Sequence, residues 1–309
     1  MRKGLKPRSA GRCVVETILV RYGELSLKSP AVRREFEAKL KGHILSLLYR
    51  ADIECTVSDD HGHIYVHSPR LEEALPYVCR VFGVVSVSRA SVLPTDLEVL
   101  SKHVVEQAGS LPDGSSFAIR ARRTGTHPFT SHDVDVRLGA DVLAGHPGKR
   151  LKVDLTHPDT EIAVEIRGPK TYVYLGRHPG PGGFPLGVAG KIGAIVDGKR
   201  GALGAWLMMK RGCRTFPVSY PAARAYTEVL QRFDPELDAE RSSEGLEAWQ
   251  LLRSLVEKNR LSGVSLALGV DDYPGAKEFW GETVLFSPTV GMSDEEVGRR
   301  WAEVERLAK

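Results

Sequence analysis

The sequence predicts an α/β protein in which a mixed α+β segment precedes a region wound around parallel strands. β-Branched runs alternate with amphipathic stretches of helical period along the 309 residues. Hydrophobic residues make up 42% and charged residues 27% of the chain, which is ordinary for a folded protein and argues against extended disorder. Towards the C-terminus, strands and helices follow one another singly, the pattern of βαβ units around a parallel sheet.

The region 14–93 opens with a β-branched strand and continues with a predicted helix at 31–50, where apolar residues recur every three to four positions. Ser29-Pro30 precedes this helix, with Ser29 as a candidate N-cap. Strands are expected at 52–58 and 63–67, a helix at 71–80 and a strand at 84–92. The order β-α-β-β-α-β is that of a ferredoxin-like unit, which by itself indicates no function.

Two further regions, 94–178 and 191–309, are joined by a Gly/Pro stretch at 179–190. The first is predicted to contain a helix at 97–108 capped by Thr95 or Asp96, a strand at 116–122, a helix at 131–143, and strands at 152–155, 161–167 and 171–175. The second is predicted to contain a strand at 192–196, a loop at 197–202, a helix at 203–211, a strand at 214–220, helices at 222–233 and 243–258, a strand at 264–268, and a last helix from Ser293.

The net charge of +4 is distributed unevenly along the chain. Residues 117–215 hold 16 basic and 8 acidic residues, whereas the flanking segments 16–116 and 216–309 are acidic. A basic middle between acidic flanks indicates a polyanionic partner, although a solvated basic face would give the same counts. The first 13 residues are predicted to be a flexible basic tail, which could contact phosphates or only aid solubility.

Several classes of protein are excluded by what the sequence lacks. No uncharged apolar run approaches the ~18–20 residues of a membrane span, and no apolar region follows the basic N-terminus as in a secretory signal. The four cysteines are far apart in the sequence, with no C-x-x-C pair. This spacing is typical of a protein in the reducing cytoplasm and indicates neither a zinc ribbon nor a disulfide framework. His61, His63 and His67 lie near Cys55, but no fourth ligand is evident, so we expect a solvated hairpin and no metal.

The densest cluster of candidate binding residues follows Phe117. Strand alternation places Arg120 and Arg122 on one face and Phe117, Ile119 and Ala121 on the other. Neighbouring guanidinium groups repel each other unless an anion neutralises them, and Arg forks match phosphate oxygens. Arg123, His127 and Phe129 follow in a loop, where planar side chains could stack on unpaired bases. The alternative is that the arginines form salt bridges with Asp133, Asp135 or Asp154.

The Gly/Pro stretch is the second candidate site. Gly182 and Gly183 would let the backbone approach a phosphate closely, and Pro185 would stiffen the loop. It is not a Walker loop, because Pro185 stands where that motif needs its first glycine and Ile192 where it needs Ser or Thr. A plain linker between domains is the alternative.

These clusters and their spacing resemble those of a known protein family. FAIRARRTGTHPFTS from residue 117, KVDLTHPD at 152–159 and EIRGPKTYVY at 165–174 resemble a THUMP domain, an RNA-binding module of tRNA-modifying enzymes. GPGGFPLGVAGK at 180–191 and VRYGELSLKSPAVRREFEAKL at 20–40 resemble the tRNA 4-thiouridine synthetases, which are tRNA sulfurtransferases of the thiamine-biosynthesis type. LMMKRGC at 207–213 and SPTVGMSDEEV at 287–297 resemble pieces of that family's nucleotide-binding domain.

The resemblance implies a basic tail (1–13), a ferredoxin-like domain (14–93), a THUMP domain (94–178), a Gly/Pro loop (179–190) and a shortened PP-loop ATP pyrophosphatase domain (191–309). It implies that the THUMP surface grips tRNA near its 3′ CCA end. In the family, the C-terminal domain adenylates uridine 8 for sulfur insertion. A Ser-Gly-Gly-x-Asp-Ser loop there wraps the ATP phosphates.

This sequence departs from the family at that loop, which here consists of Asp197, Gly198, Lys199, Arg200, Gly201 and Ala202. Only Gly198 is kept, and the aspartate and final serine expected to organise phosphate and Mg²⁺ are missing. No cysteine follows Cys213, which is itself predicted to be a buried structural thiol. We therefore expect a degenerate loop that holds neither ATP nor Mg²⁺ and whose added cations extend an RNA surface.

The sequence thus predicts a cytoplasmic tRNA-binding protein without ATP pyrophosphatase activity. Its expected partners are tRNA and a separate catalytic subunit or sulfur donor, and the family resemblance is compatible with a homodimer. Two alternatives remain, an active ATP-dependent uridine-8 sulfurtransferase and an anion-binding scaffold that does not bind RNA. The sequence therefore leaves open whether the protein is an enzyme. No catalytic residue is assigned. The candidate RNA-binding residues are Arg120, Arg122, Arg123, His127, Phe129, Arg137, Lys152, Arg177, Gly182, Gly183, Pro185, Lys191, Lys199 and Arg200.

Overall fold

A computed structural model describes residues 15–23, 29–60 and 62–309. The predicted basic tail and His61 lie outside these residues. The chain divides into two compact units. The first, called unit 1, combines the described residues up to Ile18 with Ser88–Arg177, and the second, unit 2, combines Leu19–Val87 with His178–Lys309. Two strands, β1 (Val15–Tyr22) and β4 (Val84–Pro94), run from one unit into the other.

Unit 1 is a mixed sheet with two helices. Beyond β4, its elements are α3 (Leu97–Ala108), β5 (Ser116–Thr124), α4 (Ser131–Gly145), β6 (Lys152–Val153), β7 (Thr160–Arg167) and β8 (Lys170–Leu175). The strand order is β4-β8-β7-β5-β6, with β5 parallel to β6 and β7 and with β7 antiparallel to β8. Asp96 caps α3 by accepting from two backbone N–H groups, and Thr130 with Asp133 forms a capping box on α4.

The first part of unit 2 has the predicted ferredoxin-like order. Its elements besides β1 and β4 are α1 (Pro30–Arg50), β2 (Thr56–Asp60), β3 (His63–His67) and α2 (Leu71–Cys79), with strand order β2-β3-β1-β4. Ser29 is the residue before α1, but its side chain makes no capping hydrogen bond. A two-residue strand, β9 (His178–Pro179), pairs with β4.

The second part of unit 2 is a parallel sheet of order β11-β10-β12-β13. Its elements are β10 (Lys191–Val196), α5 (Lys199–Lys210), β11 (Arg214–Ser219), α6 (Arg224–Gln231), α7 (Gly245–Asn259), β12 (Val264–Ser265), α8 (Tyr273–Trp280), β13 (Leu285–Phe286) and α9 (Asp294–Leu307). Ser293 caps α9 by accepting from the N–H of Glu296, as predicted. The sheet is parallel, as the alternation of strands and helices indicated.

The two parts of unit 2 share one hydrophobic core. Phe82, which follows α2, is fully buried between Trp206 of α5 and Phe233, with ring centroids 5.6 and 5.5 Å away. Arg50, at the end of α1, donates a 2.9 Å hydrogen bond to the carbonyl of Pro235. The ferredoxin-like segment therefore packs as an integral part of unit 2.

The predicted loop at 197–202 is wrong, because α5 begins at Lys199 and leaves only Asp197 and Gly198 between strand and helix. Gly201 suggested a loop, but it is buried in the first turn of α5, where a Cβ would lie 2.7 Å from the carbonyl oxygen of Ile195. Glycine is needed there for close packing against the strand. The helix α8 was also missed, since Pro274 and Gly275 are turn formers in sequence, although proline is favoured at the start of a helix.

Candidate nucleic-acid interface

The face of the unit 1 sheet opposite its hydrophobic core carries the predicted arginines. Phe117 and Ile119 point into the core that α3 and α4 cover. The register pairs Arg120 with Ala163 and Arg122 with Glu165, so these four side chains share the other face. On β8, Tyr174 pairs with Ala163 and extends the same face. Strand alternation therefore predicted the two faces correctly.

This face contains a cavity of 580 Å³, which we call the sheet-face cavity. Its walls include Arg120 and Arg122 from β5, Glu161 and Glu165 from β7, and Arg177 just after β8. The small side chain of Ala163 lines it between two larger residues on the neighbouring strands, Arg120 and Tyr174. Three of the predicted arginines are therefore brought to one concave surface.

The acidic groups around the sheet-face cavity are all engaged by donors of the chain itself. Glu161 accepts from Arg120 Nε at 3.0 Å, and Asp135 accepts from the N–H of Ala121 at 2.7 Å. Asp159 accepts from the N–H and hydroxyl of Ser116, which hold its pKa below the usual value. Burial has the opposite effect on Asp135 and raises its pKa.

The arginines differ in how far their charge is neutralised. Arg120 pairs with Glu161 and also donates a 2.6 Å hydrogen bond to the carbonyl of Leu155. Arg122 and Arg123 are exposed, and neither makes a hydrogen bond or ion pair with any described residue. The carboxylates considered above as partners, Asp133, Asp135 and Asp154, instead accept from backbone N–H groups. The guanidinium groups of Arg122 and Arg123 therefore keep donors that no described carboxylate occupies.

A buried pair forms the floor of the sheet-face cavity. The Tyr174 hydroxyl donates a 2.6 Å hydrogen bond to Oε1 of Glu165, and Arg167 lies 3.5 Å from Oε2 of the same carboxylate. The guanidinium of Arg177 lies 3.4 Å from the Tyr174 hydroxyl and 6.0 Å from its ring centroid. The sequence reasoning did not single out Glu165 or Tyr174, although a lone glutamate within the apolar run of β7 was a usable signal.

The other predicted residues of unit 1 are spread around this face with different surroundings. His127 stacks on Phe129 at 5.5 Å, and Phe129 packs partly against the hydrophobic core. Arg137 forms ion pairs with Glu98 at 2.5 Å and Asp141 at 3.2 Å. Lys152 is exposed on β6. The structure therefore brings Arg120, Arg122 and Arg177 into the cavity, and Arg123, His127, Phe129, Arg137 and Lys152 lie outside its walls.

In unit 2, the Gly/Pro stretch contacts its own backbone closely. Gly183 has a φ of +74°, and a Cβ there would overlap the carbonyl oxygen of Lys210. Gly182 accepts from the N–H of Gly83 at 2.9 Å, and Pro185 packs 3.2 Å from the Cβ position of Gly83. Gly183 therefore serves close packing against the chain itself, whereas the Cβ position of Gly182 meets no atom within 4 Å.

The β10–α5 junction is the place where the resemblance implies an ATP-wrapping loop. Asp197 Oδ1 lies 2.6 Å from the Cβ position of Gly201, over the first turn of α5, and partial burial raises the pKa of this carboxyl. Arg200 donates to the carbonyls of Thr289 and Met292 and pairs with Asp294 at 2.7 Å. Lys191 and Lys199 are exposed, and Ala202 is buried.

Two kinds of feature are missing from the described residues. No helix among them is long and apolar enough to cross a membrane. No group of three or more His, Cys, Asp or Glu side chains in the described ranges could hold a metal ion.

Comparison with known proteins gives these features a class. Family models match for the ThiI ferredoxin-like domain over residues 17–88 and for the THUMP domain over residues 95–176. The second match contains almost the whole sheet-face cavity. The chain is a THUMP-domain protein. A ThiI-type ferredoxin-like domain precedes its THUMP domain, and the curated relatives that it matches are named as probable tRNA sulfurtransferases.

A probable tRNA sulfurtransferase of Methanothermobacter thermautotrophicus is 39% identical over 210 residues, which are 66% of this chain and 52% of that protein. The chain thus spans about half the length of the curated relatives it matches. The crystal structure of PH1313 from Pyrococcus horikoshii is similar at a TM-score of 0.79 and 25% identity, over 94% of this chain and 99% of that one. A 4-thiouridine synthetase–RNA complex with bound ATP shares the fold at a TM-score of 0.75 and 18% identity, over 95% of this chain and 86% of that one.

Proposed function

We propose that this chain binds the acceptor region of tRNA, including the 3′ CCA end, through the sheet-face cavity of its THUMP domain. One observation carries the proposal. Arg122 lies in a concave surface beside Arg120 and Arg177, and each acidic group of that surface already accepts a hydrogen bond from another residue. A phosphate entering this cavity meets the guanidinium groups of Arg122 and Arg177, which form no ion pair with a described residue, and guanidinium groups match phosphate oxygens with paired donors.

The shape of the cavity favours an unpaired strand over a duplex. The concave surface has a volume of 580 Å³, and Arg177 supplies a planar cation at its wall. Proteins that recognise RNA specifically bind mostly single-stranded loops and ends, whose bases are free to stack and form hydrogen bonds. The CCA end is the unpaired terminus of every tRNA, which makes it the matching element.

We propose further that the chain lacks ATP pyrophosphatase activity. The β10–α5 junction does not fit an ATP-wrapping loop, because the side chain of Asp197 covers the first turn of α5. In addition, Arg200 of that turn is hydrogen-bonded to the carbonyl of Met292 and paired with Asp294, at the start of α9. A side chain at position 201, where the family has aspartate, would collide with β10. The curated relatives, which are named as sulfurtransferases, favour the alternative, an active sulfurtransferase. That alternative predicts tRNA-dependent pyrophosphate release from ATP and Mg²⁺.

A chain without this activity would present tRNA to a separate catalytic subunit or sulfur donor. A homodimer would allow one copy to hold the tRNA end near the body of the other. A further alternative is an anion-binding scaffold that does not bind RNA, which predicts no tRNA binding at physiological salt. The ion pair between Arg120 and Glu161 favours this alternative. Arg122 and Arg177 weigh against it because no carboxylate neutralises either in the described residues.

The experiment is a tRNA titration of the Arg122→Ala/Arg177→Ala protein by fluorescence anisotropy at several salt concentrations. We expect at least about tenfold weaker binding and a salt slope reduced by about one to two counterions, because two phosphate contacts are lost. Arg150→Ala is the control, since Arg150 is exposed in the same unit, pairs with Asp113 and lies outside the cavity. Unchanged affinity and slope in the double variant would refute the proposed site.

A further inference from the structure

Unit 2 contains a second cavity of 930 Å³ that the proposed tRNA contacts do not use. It lies along the last turn of α5, beside the edge strand β13 and the helix α9, with Phe184 at its rim. We call it the edge cavity. Its volume falls in the ~300–1,000 Å³ range typical of small-molecule sites.

The edge cavity is separate from the β10–α5 junction. Its residues from α5 are Leu207, Met208 and Lys210, whereas the junction precedes the first turn at Lys199. Eleven helical steps separate Lys199 from Lys210, or about 16 Å. A doubly wound sheet holds its usual nucleotide beyond the carboxyl ends of the strands, near the junction, so the edge cavity is not that position.

The walls of the edge cavity combine two kinds of chemistry. Phe184, Phe286, Met208 and Met292 give it apolar and aromatic surfaces. Lys210, Arg211 and Arg300 bring three cations to the same opening, and no carboxylate lines it among the described residues. Aromatic rings with cations beside them match a flat base that carries a phosphate.

Two of these cations have no anionic partner within the part of the chain that the structure describes. The Nζ of Lys210 lies over the Trp206 ring, 5.3 Å from its centroid, and forms no ion pair with a described residue. Arg211 is exposed and likewise has no ion pair in the described ranges. Arg300 is held against Glu296 at 2.8 Å. The hydroxyl oxygen of Ser287 is buried in the same wall and has no hydrogen-bond partner among the described residues, a need that an incoming polar group would satisfy.

We propose that the edge cavity binds a nucleoside monophosphate unit, with the base between Phe286 and the methionines and the phosphate at Lys210 and Arg211. The unit is either a free nucleotide or one nucleotide of a bound RNA strand, because both present the same base and phosphate. The proposal does not depend on the sheet-face cavity, which lies in unit 1.

The test is calorimetric titration of the full chain with UMP, AMP, uridine, inorganic phosphate and a penta-uridylate. We expect UMP, AMP or the penta-uridylate to bind, and uridine and phosphate to bind at least about tenfold more weakly, because each carries half of the recognised chemistry. Binding of the mononucleotides identifies a free nucleotide as the source, and binding of the oligonucleotide alone identifies RNA. Absence of binding by all three, or equal binding of inorganic phosphate, would overturn the proposal.

Variants locate the bound ligand. Lys210→Ala/Arg211→Ala is expected to weaken nucleotide binding at least about tenfold. The matched control, Arg253→Ala/Lys258→Ala, removes two exposed cations from α7 and is expected to change nothing. Lys199→Ala reports on the β10–α5 junction and Arg122→Ala/Arg177→Ala on the sheet-face cavity. Binding that survives the first variant, or that is lost in either of the last two, would contradict the assignment to the edge cavity.

Discussion

The hydroxyl of Tyr174 donates a 2.6 Å hydrogen bond to Oε1 of Glu165, and both side chains are buried beneath the arginines of the sheet-face cavity. A buried carboxylate needs donors to remain charged, and Tyr174 is one of them. The same hydroxyl lies 3.4 Å from the guanidinium of Arg177. The pair therefore connects the stability of the sheet to the position of a cation at the cavity wall.

Replacement of Tyr174 by phenylalanine is expected to destabilise the protein by about 1–3 kcal/mol, because Glu165 loses a donor in a buried site. Binding of tRNA is expected to weaken several-fold as Arg177 loses its acceptor. Urea unfolding and tRNA titration measure the two effects. Tyr49→Phe serves as the control, since Tyr49 is 85% exposed and its hydroxyl has no such role. Full stability in Tyr174→Phe would mean that the hydrogen bond contributes little.

Replacement of Ala163 by leucine should fill the sheet-face cavity without changing any charge. We expect tRNA affinity to fall about tenfold, since the concave surface between Arg120 and Tyr174 is lost. Gel-shift titration measures this, with circular dichroism to confirm folding. Ala140→Leu is the control, because Ala140 is exposed on α4 of the same unit. Normal tRNA binding by a folded Ala163→Leu protein would show that the cavity is not the binding surface.

The buried His43 of α1 should make the stability of unit 2 depend on pH. Burial lowers the pKa of His43 to about 4, and the charge of Arg214 acts in the same direction, against a smaller opposing effect of Glu236. The folded state therefore favours neutral histidine, so this contribution is complete above the unfolded pKa of about 6.5 and is lost as pH falls towards 4. Between these values the loss amounts to about 3 kcal/mol.

Urea unfolding of the wild type and of His43→Leu at pH 7.5 and pH 5 measures this loss. The leucine variant keeps an apolar side chain of similar size and removes the titrating group, so its stability should fall less between the two pH values. His157→Ala, a change at an exposed histidine, should behave as the wild type does. Equal pH dependence in wild type and His43→Leu would contradict the assignment.

Truncation of Phe82 to alanine tests whether the ferredoxin-like segment and the parallel sheet share a core. Phe82 is fully buried against Trp206 and Phe233, and loss of a buried phenylalanine costs about 3–5 kcal/mol. We expect tryptophan fluorescence to show a single cooperative unfolding transition of unit 2, with the free energy of unfolding lowered by that amount. Phe82→Leu should cost markedly less. Two separate transitions, or a loss below 1 kcal/mol, would show that the segments unfold independently.

The sequence predicted those features that depend on local periodicity. Strand alternation placed Arg120 and Arg122 correctly opposite the core, and the capping residues Asp96 and Ser293 lie where helix-start rules put them. The start of α5 was missed because Gly201 suggests a loop, whereas its role is close packing against β10.

Long-range relationships were beyond such rules. Glu165 meets Tyr174 only through the antiparallel register of β7 and β8, and the cavity exists because Ala163 lies between larger residues on neighbouring strands. No spacing along the chain encodes which strands become neighbours. Arg200 was assigned to an RNA surface from charge alone, yet it is bound to three groups near residues 289–294, because a distant segment folds back onto α5.

The central claim, that the sheet-face cavity holds the single-stranded end of tRNA, is tested most directly by comparing intact tRNA with the same tRNA lacking its CCA end. The dissociation constants of the wild type should differ by at least about tenfold, since the truncated tRNA keeps the backbone charge of its duplex regions but loses the unpaired nucleotides. In Arg122→Ala/Arg177→Ala the two tRNAs should bind almost equally. Equal affinity of the wild type for both tRNAs would contradict the account.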